Sequence, residues 1–286
     1  QGMSEMLQKM GITVNAYLPA ADLQTIQKAP RAALNIVRRK KWALTMEQRF
    51  GTQFLHVADM QEWHGIEGIS DLYSQIGKML GCEDAVERVL QEEYELVAAR
   101  YQELRAEFAK YKFCLIAHGI AYLPDALRVY QQDYGLPIEK ICIIMNPSYQ
   151  AETGLDDAMM QRFKDRIELA KAEYGCEAQV LLEPSEDALR EAAQSCDFVI
   201  CNGHPRYAAL DVPVLYNLFD RSVWNYQGFV DIMEEVWQML QQPQRTGSSL
   251  LLSKLAYDPV FYPMRETDKD SKASRELYSR VWRQRK

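Results

Sequence analysis

The sequence predicts an α/β protein made of two Rossmann-like domains, with parallel sheets flanked by helices and a long helix joining the domains. Short apolar runs rich in β-forming residues alternate along the chain with amphipathic helical patterns. Such alternation is typical of parallel sheets built from βαβ units. Between the two alternating regions lies a highly charged helical pattern from Glu83 to Tyr111, which would extend roughly 43 Å as an α-helix. A helix of this length is suited to connecting two domains.

The first alternating region, residues 1–80, is predicted to form a partial Rossmann-like domain whose first strand is missing. In chain order its pattern predicts a helix at Gly2–Met10, a strand at Ile12–Leu18, a short helix at Asp22–Lys28, a strand at Ala32–Val37, a helix up to Phe50, a strand at Gln53–Val57 and a helix at Ile69–Met79. A doubly wound half normally begins with a strand, whereas this sequence begins with a helix. We therefore expect that upstream residues have been removed.

After the connecting helix, residues 81–111, the second region is predicted to form a Rossmann-like domain at residues 112–242. Its predicted strands are Phe113–Ala117, Lys140–Met145, Ala178–Leu182, Phe198–Cys201 and Val212–Tyr216, and its helices are Leu123–Tyr134, Asp156–Tyr174, Glu186–Ser195 and Gln227–Leu240. Residues 243–286 form a C-terminal extension that is first polar and then carries aromatic residues. Such a tail commonly docks on its own protein or on a partner subunit, and both possibilities remain open.

Composition excludes several classes of partner. The chain has 286 residues, a net charge of −7 and a pI near 5.3, whereas nucleic-acid-binding surfaces are normally basic. No apolar run approaches the ~20 residues of a membrane span, and nothing at the start resembles a signal peptide. We therefore expect a cytoplasmic protein that binds neither nucleic acid nor a membrane.

The six cysteines do not form a metal-binding or disulfide pattern. No two of them are spaced as Cys-x-x-Cys, and three lie in apolar strand patterns, where a cysteine usually acts as a small buried hydrophobic residue. This usage favours a reducing compartment and predicts no metal site. The sequence also lacks the glycine-rich signatures of common dinucleotide and ATP sites.

A basic run, Arg38 to Lys41, stands where a predicted strand meets a predicted helix. Four positive charges at a helix N-terminus oppose the helix dipole and are therefore unfavourably placed. This placement suggests a bound anion or an acidic partner. The alternative is a solvated basic cluster without a ligand.

The stretch from Asp197 to Phe229 contains two buried-strand patterns that open into polar loops. Phe198–Cys201 is followed by Asn-Gly-His-Pro-Arg, and Val212–Tyr216 is followed by Asn217 and an aromatic segment. If the strands are parallel, both loops lie at one edge of the sheet, where ligands of open α/β sheets bind. The alternative is that Asn-Gly forms an ordinary turn and that the aromatic residues pack in a core.

Four segments together resemble the nitrogenase component 1 family, which includes catalytic nitrogenase subunits, a cofactor-assembly scaffold and related reductases. They are GMSEMLQKMGITVNAYLP, APRAALNIVRRKKWALTMEQRFGTQFLHV, KFCLIAHGIAYLPDALRVYQQDYG and CDFVICNGHPRYAALDVPVLYNLF followed by NYQGF. Their order and spacing match the second and third of the family's three Rossmann-like domains, from about residue 2 to about residue 242. The family's first domain, which carries the cysteines for an inter-subunit iron–sulfur cluster, has no counterpart in this sequence.

The resemblance also shows where this chain departs from the catalytic nitrogenase subunit. That subunit binds its metallocluster through a cysteine shortly after the strand matched by Leu34–Val37 and a histidine beyond the strand matched by Val214–Tyr216. Arg38 and Arg39 stand at the first position, and Leu218 stands at the second. We therefore expect that this chain does not hold the nitrogenase metallocluster in the nitrogenase manner.

The resemblance implies a cavity lined by strand-end loops of both domains. The residues expected to bind a cofactor or substrate there are Arg38, Arg39, His64, Asn202, Gly203, Arg206 and Asn217. Two arginines can hold carboxylates or phosphates through paired hydrogen bonds. His118 and His204 are the expected catalytic residues for proton transfer because histidine titrates near neutral pH. A strand-end histidine that is only hydrogen-bonded is the alternative.

By resemblance the chain is an oxidoreductase subunit, or a fragment of one, that reduces a substrate in an interdomain cavity. The resemblance implies electrons from an ATP-dependent iron–sulfur reductase and a homologous subunit as partner, in a homo- or hetero-oligomer. Its cofactor stays unidentified, and an iron–sulfur cluster is expected only through a missing N-terminal domain. The alternatives are a non-catalytic cofactor-assembly scaffold and a small-molecule or anion-binding protein of the same fold, so catalysis itself remains open.

Overall fold

The computed structural model describes residues 2–17, 22–57, 62–119, 123–144, 157–201, 207, 210, 212–216 and 223–241, with only the backbone of 157–160 and 216. The helices are α1 Gly2–Lys9, α2 Leu23–Lys28, α3 Lys40–Phe50, α4 Gly65–Leu80, α5 Glu83–Phe108, α6 Leu123–Leu127, α7 Asp157–Glu173, α8 Glu186–Gln194 and α9 Tyr226–Gln241. The strands are β1 Leu34–Val37, β2 Gln53–His56, β3 Phe113–His118, β4 Ile138–Ile144, β5 Gln179–Leu182, β6 Phe198–Cys201 and β7 Val214–Tyr216. The predicted α/β class, with parallel sheets flanked by helices, is confirmed.

The larger sheet has five parallel strands in the order β5-β4-β3-β6-β7. Its two neighbouring central strands, β3 and β6, are buried along most or all of their length, which is why they appear in the sequence as continuous apolar runs rather than alternating patterns. From β3 the chain builds one half of the sheet outward through β4 and β5, and then returns to build the other half through β6 and β7. The order of strands therefore reverses between β3 and β6.

Among the described residues, the smaller sheet consists of β1 and β2, paired in parallel from Leu34 and Gln53 onward. The predicted strand Ile12–Leu18 is wrong over residues 12–17, which the structure describes without any strand. Val14 and Tyr17 in this segment are 38% and 55% exposed. A local apolar pattern cannot show whether a neighbouring strand is available to pair with, and here none of the described strands does so.

The helix predicted at Leu123–Tyr134 changes its geometry part-way along. It is α-helical over Leu123–Leu127 and continues as a π-helix over Arg128–Asp133. The N–H of Tyr134 donates to the carbonyl of Val129, five residues earlier, at 2.9 Å. Such wider turns are rare and are often found at functional sites.

The described residues pack into two compact units that do not follow chain order. Unit 1 takes its residues from Gln1–Phe108, Asp125–Gly135 and Phe219–Leu240, and unit 2 takes its residues from Ala109–Pro124, Leu136–Leu218 and Gln241. Unit 1 therefore contains the smaller sheet and α5, whereas unit 2 contains the five-stranded sheet. The predicted domain boundaries at residues 80, 111 and 242 stay a prediction.

One core of unit 2 is rich in cysteine. Cys114, Cys142, Cys196 and Cys201 belong to one apolar cluster around the five-stranded sheet, each at most 8% exposed. Cys176, also in unit 2, is buried, whereas Cys82 in unit 1 is partly exposed, and all six thiols are free. Burial raises the pKa of the Cys201 thiol to about 12 and also raises the pKa of the Cys176 and Cys196 thiols. These thiols are therefore protonated and act as packing groups.

Candidate functional site

The carboxyl ends of β3 and β6 mark the candidate site of unit 2. Ligands of open α/β sheets bind outside the carboxyl ends of the strands, at the point where the strand order reverses. His118 is the last residue of β3, and its side chain is exposed. The fold therefore places one of the two histidines predicted to be catalytic at the position where this class of sheet binds ligands.

His118 is held by a buried tyrosine from the chain that follows β6. The hydroxyl of Tyr207, which is 0% exposed, lies 2.6 Å from Nε2 of His118. The two rings are 5.8 Å apart between centroids and are tilted by 59°. This hydrogen bond fixes the orientation of an otherwise exposed imidazole, and its direction depends on the tautomer. Sequence reasoning missed Tyr207, because no local pattern indicates its contact with His118.

The sequence predicts five further residues at this edge. Asn202, Gly203, His204, Arg206 and Asn217 lie outside the described residues. They follow β6 or β7 in the chain, and their roles stay predictions.

Arg38 and Arg39 stand at the carboxyl end of β1 in unit 1, where the predicted basic run was expected. Arg39 occupies the N-cap position of α3 without a side-chain capping bond, and the first turn of α3 contains no acidic residue. Both arginines are exposed, as are Lys40 and Lys41. Within the part of the chain that the structure describes, none of these four cations forms an ion pair. The arrangement leaves four positive charges available for an anion.

His64, by contrast, is a core residue of unit 1. It is 1% exposed, and its Nε2 lies 3.0 Å from the hydroxyl of Tyr134. Its ring stacks on Tyr134 at 5.9 Å and meets Phe229 edge-on at 5.6 Å. Burial, with a smaller contribution from the charge of Arg128, lowers the pKa of His64 to about 4. His64 is therefore neutral near pH 7, and its predicted role in cofactor binding stays a prediction.

The sequence profile described as Nitrogenase component 1 type Oxidoreductase matches residues 1–241, most of the 286-residue chain. The chain belongs to the nitrogenase component 1 type oxidoreductase family. The predicted family is thereby confirmed. No curated protein matches the sequence at a significant level.

Two solved structures show that this family member shares the nitrogenase fold. One, "Nitrogenase Cp1 at pH 5", is 14% identical with a TM-score of 0.54, and the match covers 87% of this chain and 54% of that chain. The other, "Nitrogenase Cp1 at pH 6.5", is 14% identical with a TM-score of 0.52, and covers 87% and 56%. The chain thus spans about half the length of the solved nitrogenase chains that it matches.

The described residues of this nitrogenase component 1 family member do not fit the nitrogenase metallocluster. Arg38 and Arg39 stand where the resemblance places a cysteine ligand, and a guanidinium group offers hydrogen-bond donors but no lone pair for a metal. Leu218, at the position of the second ligand, lies outside the described residues. Within the described ranges, no group of three or more His, Cys, Asp or Glu is placed to hold a metal ion.

No described helix is both long and apolar enough to cross a membrane.

The structure of this family member also contains a buried polar network in unit 1 that sequence reasoning missed. Nη1 of Arg128 donates to Oδ2 of Asp133 at 2.9 Å, and Nη2 of Arg128 donates to the carbonyls of Glu62 and His64 at 3.0 and 3.2 Å. The N–H of Glu67 donates to Oδ1 of Asp133 at 3.2 Å. Asp133 thus caps the N-terminus of α4. Burial raises the pKa of Asp133 to about 7, while the nearby charge of Arg128 opposes this increase.

Gly65 makes the close approach of Asp133 possible. Its φ is +87°, and a Cβ at this position would lie 2.0 Å from Oδ2 of Asp133. A side chain would therefore clash with the cap and strain the backbone. The glycine after His64 was the available sequence signal for this network.

Proposed function

We propose that this chain forms part of an oxidoreductase subunit that binds an anionic substrate or cofactor at the carboxyl ends of its strands and reduces the substrate. Electrons would come from an ATP-dependent iron–sulfur reductase. The observation that carries the proposal is the exposed imidazole of His118, which Tyr207 holds next to the reversal point of the five-stranded sheet. Membership of an oxidoreductase family supports the reaction class.

His118 is the proposed proton donor. Reduction of most substrates consumes protons together with electrons, and an imidazole titrates near neutral pH, so that it can supply them. The hydroxyl of Tyr207, 2.6 Å from Nε2, would keep the ring in one orientation through the reaction. His204 is a second proposed proton donor on sequence grounds alone.

Arg38 and Arg39 are the proposed anion-binding groups. Guanidinium groups pair with carboxylates and phosphates through two parallel hydrogen bonds, and both side chains are exposed without an ion pair among the described residues. Asn202, Gly203, Arg206 and Asn217 remain proposed cofactor- or substrate-binding residues on sequence grounds alone. For His64, burial within the core favours an indirect role, in which it supports the start of α4.

The proposal includes partners that this chain does not contain. A homologous subunit would pair with it, and an iron–sulfur cluster would be held by a further domain with its own cysteines. The described residues supply no ligand set for such a cluster. We also propose a cytoplasmic location, which suits six free thiols.

The first test measures iron and acid-labile sulfide in the longest native form of the protein, purified without oxygen. We expect iron near one whole cluster per chain, which is lost when cysteines outside the present sequence are substituted. Absence of iron and sulfide from a stably folded protein would rule out the electron-transfer role.

The second test addresses His118 directly. Reductase-driven turnover of His118→Ala should fall by about 100-fold and lose the pH dependence that a neutral-range acid gives. Tyr207→Phe should retain that pH dependence with a smaller loss. His56→Ala provides the matched control, because His56 also ends a strand but has no proposed role. Equal losses in the His118 and His56 variants would contradict the assignment.

A second candidate function is a non-catalytic carrier or anion-binding protein of the same fold. It is favoured by two observations on the described residues: they offer no metal ligand set, and the basic run at the start of α3 has no anionic partner. Iron-free protein that still binds a multivalent anion through Arg38 and Arg39 would select this candidate over the oxidoreductase.

A further inference from the structure

A groove runs along unit 1 between α4 and α5 and ends at the first residue of α9. Its cavity volume is about 470 Å³, within the range of about 300–1,000 Å³ that is typical of small-molecule sites. The described residues that line the groove all belong to unit 1, and none of them takes part in the function proposed above.

Two tyrosines form the end of the groove that lies far from the turn between α4 and α5. The rings of Tyr94 and Tyr226 meet edge to face, with centroids 5.9 Å apart and an interplanar angle of 84°. The hydroxyl of Tyr226 is hydrogen-bonded to the hydroxyl of Ser70 at 2.7 Å, which fixes its ring. The faces of tyrosine rings attract cations, and their bodies offer apolar contact area.

Two carboxylates border the same groove. Glu83 and Glu87 are one helical turn apart on α5, and both are exposed. Neither forms an ion pair among the described residues, whereas Arg88 on the same helix pairs with Glu92 at 2.9 Å. Glu83 lies in the first turn of α5, where an acidic residue stabilises the helix dipole, but Glu87 lies beyond that turn.

The charged side chains among the described lining residues of the groove are all negative. Neither lysine nor arginine is among the described residues that line it, and the side chains of Val86 and Leu90, which are 1% and 9% exposed, form its apolar floor. Negative charge, apolar side chains and aromatic rings are therefore combined in one concave surface. This combination matches a positively charged group attached to an apolar body.

We propose that the groove between α4 and α5 binds an organic cation with an apolar body. The ammonium group lies between Glu83 and Glu87, and the apolar body packs on Val86, Leu90 and the two tyrosines. The site is separate from the strand ends at which the proposed reduction takes place. Failure of either proposal therefore leaves the other intact.

The test uses tryptamine, an aromatic ring with a flexible primary ammonium group, and isothermal titration calorimetry on the full chain at low salt. Tryptophol, in which a neutral hydroxyl replaces the ammonium, is the matched ligand. We expect saturable binding of tryptamine and about tenfold weaker binding of tryptophol, because the charge contacts the two carboxylates. Equal affinity for the two ligands, or no saturable binding of tryptamine at millimolar concentration, would overturn the proposal.

Variants locate the site. The double substitution Glu83→Gln and Glu87→Gln should weaken tryptamine binding about tenfold, and Tyr94→Leu should weaken it about fivefold. Asp84→Asn removes the same charge from the first turn of α5 but does not line the groove, so its affinity should equal that of the wild type. Thermal unfolding of each variant checks that the fold is retained. An unchanged affinity in the double variant, or an equal loss in Asp84→Asn, would place binding elsewhere and refute the assignment.

Discussion

The N-termini of α3 and α4 present the same physical problem and differ in how it is met. In both helices the first backbone N–H groups have no partner within the helix and carry a partial positive charge, and neither helix has a capping bond from its own N-cap side chain. At α4 the carboxylate of Asp133 accepts the N–H of Glu67, and Arg128 pairs with that carboxylate in the core. At α3 the first turn carries additional positive charge.

The N-terminus of α4 is capped by the protein itself, whereas the positive charges at the N-terminus of α3 are exposed to solvent and form an open site. At α4 the carboxylate of Asp133 and the guanidinium of Arg128 find their partners within unit 1, and Arg128, Asp133 and His64 are at most 8% exposed. The basic run at α3 is exposed and forms no ion pair with any described residue. Substitutions at α4 should therefore change stability, and substitutions at α3 should change binding.

The largest expected effect is that of breaking the buried ion pair. Arg128→Met leaves the buried carboxyl group of Asp133 without its cation and two carbonyl groups without their donor. We expect the free energy of unfolding of unit 1 to fall by about 3–5 kcal/mol. Urea unfolding followed by tyrosine and tryptophan fluorescence measures it. Arg88→Met, which breaks an exposed pair, is the control and should cost less than about 1 kcal/mol.

The next effect tests the close approach at Gly65. Gly65→Ala combines a strained φ of +87° with a clash against Oδ2 of Asp133, and should cost about 2–4 kcal/mol. Gly81→Ala has a similar φ of +67° with nothing within 4 Å of the new Cβ, and should cost about 1 kcal/mol. The difference between the two isolates the clash. Equal costs would mean that Asp133 moves away freely and that the cap is unimportant.

A smaller effect is the pH dependence that His64 contributes. Its pKa falls from 6.5 to about 4 on folding, so its stabilising contribution is present above about pH 6.5 and is lost as the pH falls towards 4. Between about pH 7 and pH 5 the loss should be about 1–2 kcal/mol. Asp133 acts in the opposite direction, since its raised pKa favours the folded state as the pH falls. Comparing wild type with His64→Gln in urea at both pH values separates the two, and identical pH profiles would contradict the prediction.

The smallest expected effect concerns the open site. Arg38→Gln with Arg39→Gln should weaken binding of citrate, measured by calorimetry, about tenfold, with little change in stability. Arg49→Gln, in the last turn of α3, removes a positive charge from the same helix and should leave affinity unchanged. Citrate binding that responds equally to all three arginines would indicate a diffuse positive surface instead of a defined site.

Most of the fold could be predicted because buried parallel strands carry a strong local signal. All five strands of the larger sheet appear as short apolar runs between helical patterns, and each was predicted within a few residues. Ile12–Leu18 has a comparable local pattern, but pairing is a long-range property that this pattern does not contain. The structure accordingly describes residues 12–17 without a strand.

The buried network of unit 1 and the surroundings of His118 were less predictable, because their contacts depend on backbone geometry that residue spacing does not indicate. In an α-helix residues five apart do not share a face, so Arg128 and Asp133 gave no sign of pairing. The π-helix over Arg128–Asp133 brings them together. His118 could be predicted from its position at a strand end, whereas no local periodicity indicates its contact with Tyr207.

The distribution of the thiols makes the opening of unit 2 measurable by cysteine labelling. All five buried cysteines belong to unit 2, and the one partly exposed cysteine, Cys82, belongs to unit 1. A thiol reagent applied to the native protein should modify Cys82 at once, and the remaining five only when unit 2 opens. The slow phase of labelling therefore reports the opening of unit 2, without any engineered probe.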